Sequence, residues 1–308
     1  MRTAVVFAYH NVGVRCLKVL LSQGVHVLLV VTHEDDPNEK IWFSSVKEVC
    51  SEVGVPCITP TDPNAAEIEQ QIKNLAPDFI FSFYYRHMLK APILSSAVRG
   101  AYNMHGSLLP KYRGRVPVNW AIIHGESETG ATLHVMNLLP DNGPIAAQQA
   151  VPILLDDSAA DVFQKVTVAA EMCLSQVLPD LIAGTAQLTP QDLTQGAYFG
   201  RRTAEDGRID WQQSALQIHN LTRAVTRPFP GAFAETEAGK LVLWRTRVHD
   251  QREHAEQRGK LVYQDGEHRL YPLGGGCLQV VEAELNSAEL NIGALPHSEL
   301  RVVAATKE

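Results

Sequence analysis

The rhythm of the first two-thirds of the chain most limits how it can fold. Short, nearly unbroken apolar runs alternate with stretches of helical spacing. Residues 4–7, 26–31, 56–58, 78–83 and 101–104 read as strands. Residues 14–21, 44–53 and 65–75 repeat apolar side chains every three or four positions. Strands without polar alternation are buried on both faces. A β-α-β-α order of this kind implies an α/β class, with a Rossmann-like, mostly parallel sheet covered by helices. Residues 129–136 and 146–153 then read as a β pair, and 158–181 as a long amphipathic helix followed by Gly184. The polar stretch 184–200 reads as a connector. From about residue 204 the pattern changes to short β-like runs at 241–244, 260–263, 269–271 and 278–281, interrupted by one helical segment at 214–225. Strands at that spacing suggest a small barrel or sandwich. The expected division is a catalytic domain over 1–203, including the connector from about 184, and a C-terminal domain over 204–308.

Composition narrows the partners. With 45% hydrophobic and 20% charged residues, the chain has the make-up of a globular protein. Its formal net charge of -7 argues against a nucleic-acid surface as its main business. The five cysteines form no Cys-x-x-Cys pair, so neither a disulfide framework nor a structural zinc is expected, and Cys50 and Cys57 read as buried small apolar residues. Reduced thiols fit a cytoplasmic protein. The first apolar run is too short for a signal peptide, and no stretch reads as a membrane span, so direct membrane insertion is not expected.

Ligands of open α/β sheets lie beyond the carboxyl ends of the strands. Three strand ends here carry polar or aromatic residues: Tyr9 and His10; Tyr84, Tyr85, Arg86 and His87; Asn103 and His105. The last pair belongs to Asn103-Met104-His105-Gly106-Ser107-Leu108-Leu109-Pro110, and Asp141-Asn142-Gly143 follows further along. Residues two apart on a strand point to one face. An amide to meet an oxyanion, an imidazole to carry a proton and a carboxylate to orient it suit acyl transfer. Turn residues plus an ordinary loop acid explain the same letters. His33 with Asp35 and Asp36, or His87 with His105, lacks the spacing of a zinc signature, and no metal is expected.

Asn-x-His-x-Ser-Leu-Leu-Pro with a downstream Asp-x-Gly resembles the signature of the folate-dependent formyltransferases. That family includes glycinamide ribonucleotide, methionyl-tRNA and sugar-nucleotide formyltransferases. Residues 6–10, 81–87, 109–115 and 199–203 are most similar to the formyltransferase half of the bifunctional enzymes that act on UDP-4-amino-4-deoxy-L-arabinose in lipid A modification and polymyxin resistance. The likeness weakens after about Asp250. Those enzymes carry a second, oxidative half, whereas this sequence ends at Glu308, so an excised domain and a stand-alone transferase both remain open.

The resemblance implies N10-formyltetrahydrofolate as cosubstrate, a nucleotide-linked amino sugar as small-molecule partner, and an OB-like barrel as the C-terminal domain. It implies catalytic roles for Asn103, His105 and Asp141. His87, Met88 and Leu89 would flank the folate on one side and Asn137, Leu138, Leu139, Pro140 and Asp141 on the other. Arg115 is grouped with the cofactor contacts, although its guanidinium also suits an acceptor diphosphate, as do those of Arg201 and Arg202. Tyr9, His10 and Tyr112 are candidate acceptor contacts. A homo-oligomer is compatible with the sequence.

Three other readings compete. A methionyl-tRNA formyltransferase calls for positive charge in its trailing domain, but residues 204–308 hold twelve Lys plus Arg against fifteen Asp plus Glu, a net of -3. A nicotinamide oxidoreductase calls for Gly-x-Gly-x-x-Gly, where this chain has Ala8-Tyr9-His10-Asn11-Val12-Gly13. A non-catalytic sugar-nucleotide module has no need of Asn103, His105 and Asp141 together.

Overall fold

Burial explains the first sheet. Residues 4–8 are fully inaccessible, as are Ile80, Phe81 and Phe83 on a second strand. Each such large side chain contributes roughly 1.5–3 kcal/mol. The chain is described here by a computed structural model covering residues 1–37, 41–236, 239–264, 266–286, 288–289 and 300–301. The elements of the first part are β1 (Thr3–Ala8), α1 (His10–Ser22), β2 (His26–Val31), α2 (Val46–Val53), β3 (Cys57–Ile58), α3 (Ala66–Leu75), β4 (Phe79–Phe83), α4 (Ala91–Leu94), β5 (Gly100–His105), β6 (Arg113–Gly114), α5 (Pro117–Ile123), β7 (Glu128–Val135), β8 (Ile145–Pro152), α6 (Ala159–Ala183) and β9 (Tyr198–Phe199).

Seven strands form the sheet in the order β3-β2-β1-β4-β5-β7-β8. The first five are parallel, and β7 and β8 are antiparallel additions. This mostly parallel α/β sheet is the architecture expected. The carboxyl ends of β1, β4 and β5 lie side by side at one edge, because these strands are parallel neighbours. One face of the sheet packs Val5, Phe7, Leu29 and Ile80 against Ile72 of α3 and Ile93 of α4.

Helix α6 corrects one expectation. Over its 25 residues it is long and apolar enough, by length and hydropathy, to cross a membrane. Val162, Val166, Ala169, Cys173, Val177 and Leu181 are buried and recur every three or four positions. Gln164, Gln176 and Asp180 face out. The helix is therefore amphipathic, and its exposed positions Val168 and Met172 add to its apolar character.

The remaining elements are α7 (Ala215–Val225), β10 (Ala232–Thr236), β11 (Gly239–Asp250), β12 (Lys260–Gln264), β13 (Glu267–Tyr271), β14 (Cys277–Leu285), β15 (Ala288–Glu289) and β16 (Leu300–Arg301). They make an antiparallel sheet in the order β10-β11-β14-β13-β12-β16, with β15 beside β14. Its outer strands, β10 and β16, are not paired with each other among the described residues. Ser214 and Gln217 start α7 with a reciprocal capping box.

The chain divides into two units: residues 1–117, 128–152 and 163–200, and residues 118–127, 153–162 and 201–308. The short segments 118–127 and 153–162 thus join the second unit. The reason lies in α7, which binds both of them. Asn119 Nδ2 donates to the Ala224 carbonyl at 2.6 Å, and Arg223 donates to the carbonyls of Leu154 and Asp157 at 3.2 and 2.9 Å. All five cysteines are free thiols; Cys57 is half-buried and the other four are buried.

Candidate active site

Strand β5 delivers Asn103 and His105 to one face, and β7 supplies a third group that the sequence reading missed. Asn103 lies directly opposite His134, and His105 opposite Thr132, in the antiparallel β5–β7 register. The Asn103 amide nitrogen sits 3.1 Å from His134 Nε2. Asp141 Oδ1 is 3.5 Å from His105 Nδ1 and 3.4 Å from His134 Nε2. Amide, imidazole and carboxylate therefore converge, but Asn103 joins the cluster through His134 rather than by touching His105. A histidine alternating with Thr132 in the otherwise apolar run 131–135 was the available signal for His134.

Both ring nitrogens of His105 are engaged. Nε2 meets the Tyr112 carbonyl at 2.8 Å, and a carbonyl can only accept, so that nitrogen carries the proton and Nδ1 faces Asp141. His105 is 6% exposed. The expected proton shuttle is thus closed off in this arrangement, because neither nitrogen points to open space. The Nδ1 atom of His134 lies 2.9 Å from the Val135 carbonyl, which turns Nε2 toward Asn103 and Asp141.

Asp141 is mostly buried, and burial alone pushes its carboxyl up. The His105 ring, the His134 ring and the Gly114 N–H outweigh that and hold it well below the usual carboxylate range. Gly114 N–H donates to Oδ2 at 2.8 Å, the shortest of these contacts. Asp141 stays ionised at neutral pH. It can stabilise a protonated ring but cannot itself supply a proton.

The loop that presents Tyr112 and Gly114 is held from far along the chain. Strand β6 pairs in parallel with β9, aligning Arg113 with Tyr198 and Gly114 with Phe199. The Tyr112 ring stacks on Phe199 with centroids 5.2 Å apart. Gly114 has φ +97, and a Cβ there would overlap the Phe199 carbonyl. Arg113 donates to the Asn142 side chain at 3.1 Å and to the Gly196 carbonyl at 2.9 Å. Gln191 donates to the carbonyls of Asp141 and Gly143 at 2.9 and 2.7 Å. The stretch 184–200, expected as a connector, braces the site. Ser107 is buried and donates to the Lys111 carbonyl at 2.6 Å. Thr132 and Gln148 lock the same turn: Thr132 Oγ1 donates to the Ser107 carbonyl at 2.6 Å and accepts from Leu109 N at 3.1 Å, and Gln148 donates to the Leu109 carbonyl at 2.8 Å.

The segments expected beside the folate are loops with apolar, exposed tips. Met88 is 55% exposed, Leu138 68% and Leu139 64%. His87 and Asn137 are also exposed, and Pro140 is half-buried. Leu89 is buried in the apolar cluster of the sheet, and Met136 packs against that same cluster. Leu89 therefore offers its backbone rather than its side chain. Asn64, which the sequence reading passed over, donates to the Met88 carbonyl at 2.9 Å and accepts from Lys90 N at 2.8 Å, fixing that loop. These residues fit a flat, largely apolar group held between loops.

Three expected acceptor contacts are buried as packing groups. Tyr9 is 4% exposed and donates to Asp35 at 2.8 Å. His10 packs among Trp42, Phe43 and Phe163, with a 3.9 Å centroid separation to Phe43. The Tyr112 ring is covered by Phe199, and its role at the site runs through its carbonyl. Apolar burial of the aromatic rings outweighed display at the strand ends. In the first unit Arg115 is exposed. In the second, Arg201 is exposed, whereas Arg202 lies over the Trp120 ring at 4.8 Å and donates to the Asp206 carbonyl at 2.9 Å. Among the described residues, no group of three or more His, Cys, Asp or Glu is placed to hold a metal ion.

Known proteins share this architecture. The N-formyltransferase from Helicobacter canadensis, solved with folinic acid and dTDP-3-aminofucose, superposes with a TM-score of 0.68 at 20% identity, covering 91% of this chain and 99% of that one. WlaRD, a sugar 3N-formyltransferase solved in the presence of dTDP and 5-N-formyl-THF, superposes with a TM-score of 0.71 at 18% identity over 94% and 98%. A 4-N-formyltransferase from Francisella tularensis gives 0.64 at 19% identity over 77% and 94%. At these identities the likeness is one of fold. The sequence itself matches the formyl transferase family over residues 4–178 and the formyl transferase C-terminal domain over residues 201–294. The chain belongs to the formyl transferase family.

Proposed function

We propose that this protein transfers the formyl group of N10-formyltetrahydrofolate to the amine of a nucleotide-linked amino sugar. The observation that carries the reading is the meeting of Asn103, His105, His134 and Asp141 at one strand end, with the two nitrogen-to-carboxylate distances near 3.5 Å. The folate supplies an activated formyl carbon. The Asn103 amide is placed to donate to the oxygen that becomes negative when the amine attacks, a contribution of about 3 kcal/mol for a single such donor. His105 takes the amine proton at Nε2 once its contact with the Tyr112 carbonyl opens and the ring changes tautomer, its own proton passing to Nδ1 where Asp141 accepts its hydrogen bond; catalytic contacts commonly loosen in this way on substrate binding. Asp141, fixed as a carboxylate, stabilises the charged ring until the proton passes to the leaving nitrogen. Met88, Leu138 and Leu139 would line the folate, and the exposed Arg115 is the first unit's cation for an acceptor diphosphate.

For the acceptor, the sequence blocks favour UDP-4-amino-4-deoxy-L-arabinose, a soluble precursor that would be met in the cytoplasm. The dTDP ligands of the Helicobacter canadensis enzyme and WlaRD favour a second reading, a dTDP-linked amino sugar. Release of tetrahydrofolate from N10-formyltetrahydrofolate, measured with UDP- and dTDP-linked amino sugars and with charged initiator tRNA, tests both. Turnover with a nucleotide sugar is expected. Turnover with tRNA alone, or with none of them, overturns the proposal.

A further inference from the structure

Asp141 occupies an awkward backbone position. Its φ is 55, in the left-handed region, and its main chain has turned so that the carboxylate reaches back to two histidines and to Gly114 N–H. Gly143 lies so close to β7 that a Cβ would overlap the Val135 carbonyl, which sets one end of the turn only.

Arg113 holds the Asn142 side chain at 3.1 Å, and a further restraint comes from fifty residues past Asp141. The Gln191 side-chain nitrogen donates to the Asp141 carbonyl at 2.9 Å and to the Gly143 carbonyl at 2.7 Å. Both partners are acceptors, so the amide orientation is forced: nitrogen toward the turn, oxygen away. The buried Oε1 atom has no hydrogen-bond partner among the described residues, and the two bonds that hold this pose are the donated ones. Gln191 itself is placed by backbone pairing of Thr189 with Ile145, 2.8 Å in both directions.

We infer that Gln191 is a positioning residue for the reaction: its amide clamps the Asp141 turn so that the carboxylate stays on the His105 and His134 rings. The inference rests on the formyl-transfer reading of Asp141. Misplacement of a catalytic group by about 1 Å can cost on the order of a hundredfold in rate. Gln191→Glu keeps the shape and removes both donors. It is expected to lower kcat by about tenfold to a hundredfold while KM for both substrates stays within about twofold. Gln191→Lys restores a donor for the two carbonyls and is expected to recover most of that loss. The imidazole N–H signals of His105 and His134 in the folded protein, assigned with His→Gln variants, should move in Gln191→Glu and return in Gln191→Lys.

Three results overturn the inference: normal kcat in folded Gln191→Glu, a loss confined to KM, or equal impairment in the Glu and Lys variants. Asp141→Asn separates the two claims. If it is inactive while Gln191→Glu is normal, only the clamp fails. If Asp141→Asn turns over normally, the catalytic reading fails, and unmoved imidazole signals in Gln191→Glu would then remove the clamp as well.

Discussion

Strands β4 and β5 are parallel neighbours in one sheet, yet they are built on opposite principles. In β4, Phe79, Ile80, Phe81 and Phe83 are buried against apolar groups that need no particular partner. In β5 and its neighbour β7, the buried groups include His105, Thr132 and His134, and each is tied to a specific polar atom. Apolar burial tolerates approximate neighbours. A buried polar group left unpaired costs about 1–3 kcal/mol, so β5 and β7 depend on loops that arrive from elsewhere in the chain. One strand makes the sheet, and the other spends part of that stability on a site.

The widest test of this contrast is Phe81→Ala. It should cost about 3–5 kcal/mol in urea unfolding, while activity per folded molecule is preserved. A marginal loss would mean that β4 is not the stabilising strand. Asn103→Ala should do the reverse, lowering turnover by the equivalent of about 3 kcal/mol with a smaller change in unfolding midpoint. Turnover within a few-fold of normal would remove Asn103 from oxyanion stabilisation.

Asp141→Asn should reduce turnover at least about a hundredfold with the fold intact. Its stability carries a pH signature. The folded carboxyl is held well below its value in the unfolded chain, about 3.9. Its contribution is therefore fully present above that value and is lost as pH falls through the folded one. The stability gap between the parent protein and Asp141→Asn should be flat between about pH 8 and 5 and should shrink below about 4. A gap that persists unchanged in strong acid would show that the rings do not hold the carboxylate. The smallest expected effect is that of Thr132→Val, which deprives Leu109 N–H of its acceptor and the Ser107 carbonyl of its donor. A loss of about 1–3 kcal/mol in unfolding is expected, with turnover reduced less than in Asp141→Asn. Equal losses of turnover in the two variants would place Thr132 in the chemistry itself.

The same contrast explains what could be read from the letters. Residues 26–31 announce β2 to the residue, because six nearly unbroken apolar positions admit few alternatives. Asn103, His105 and Asp141 were legible from a motif. His134 was not, because its role depends on a cross-strand register that no local spacing reveals. Tyr9 and His10 looked like display residues at a strand end, and the aromatic cluster around Phe43 and Phe163 absorbed them. Strand β10 went unseen because Ala232, Phe233 and Ala234 are buried in succession and the run is short. The stretch 184–200 has the composition of a linker, and its long-range hydrogen bonds and strand pairing reveal what it does.

That stretch also sets an order of events during synthesis. A nascent chain that has emerged only as far as α6 already contains every strand of the parallel sheet together with Asn103, His105, His134 and Asp141. It still lacks Gln191 and β9, which arrive after the sheet and fasten the two loops. Competence for chemistry therefore lags behind formation of the sheet. By the same token, a protease cut or a relocated terminus between 189 and 199 should leave the sheet standing while it silences the enzyme.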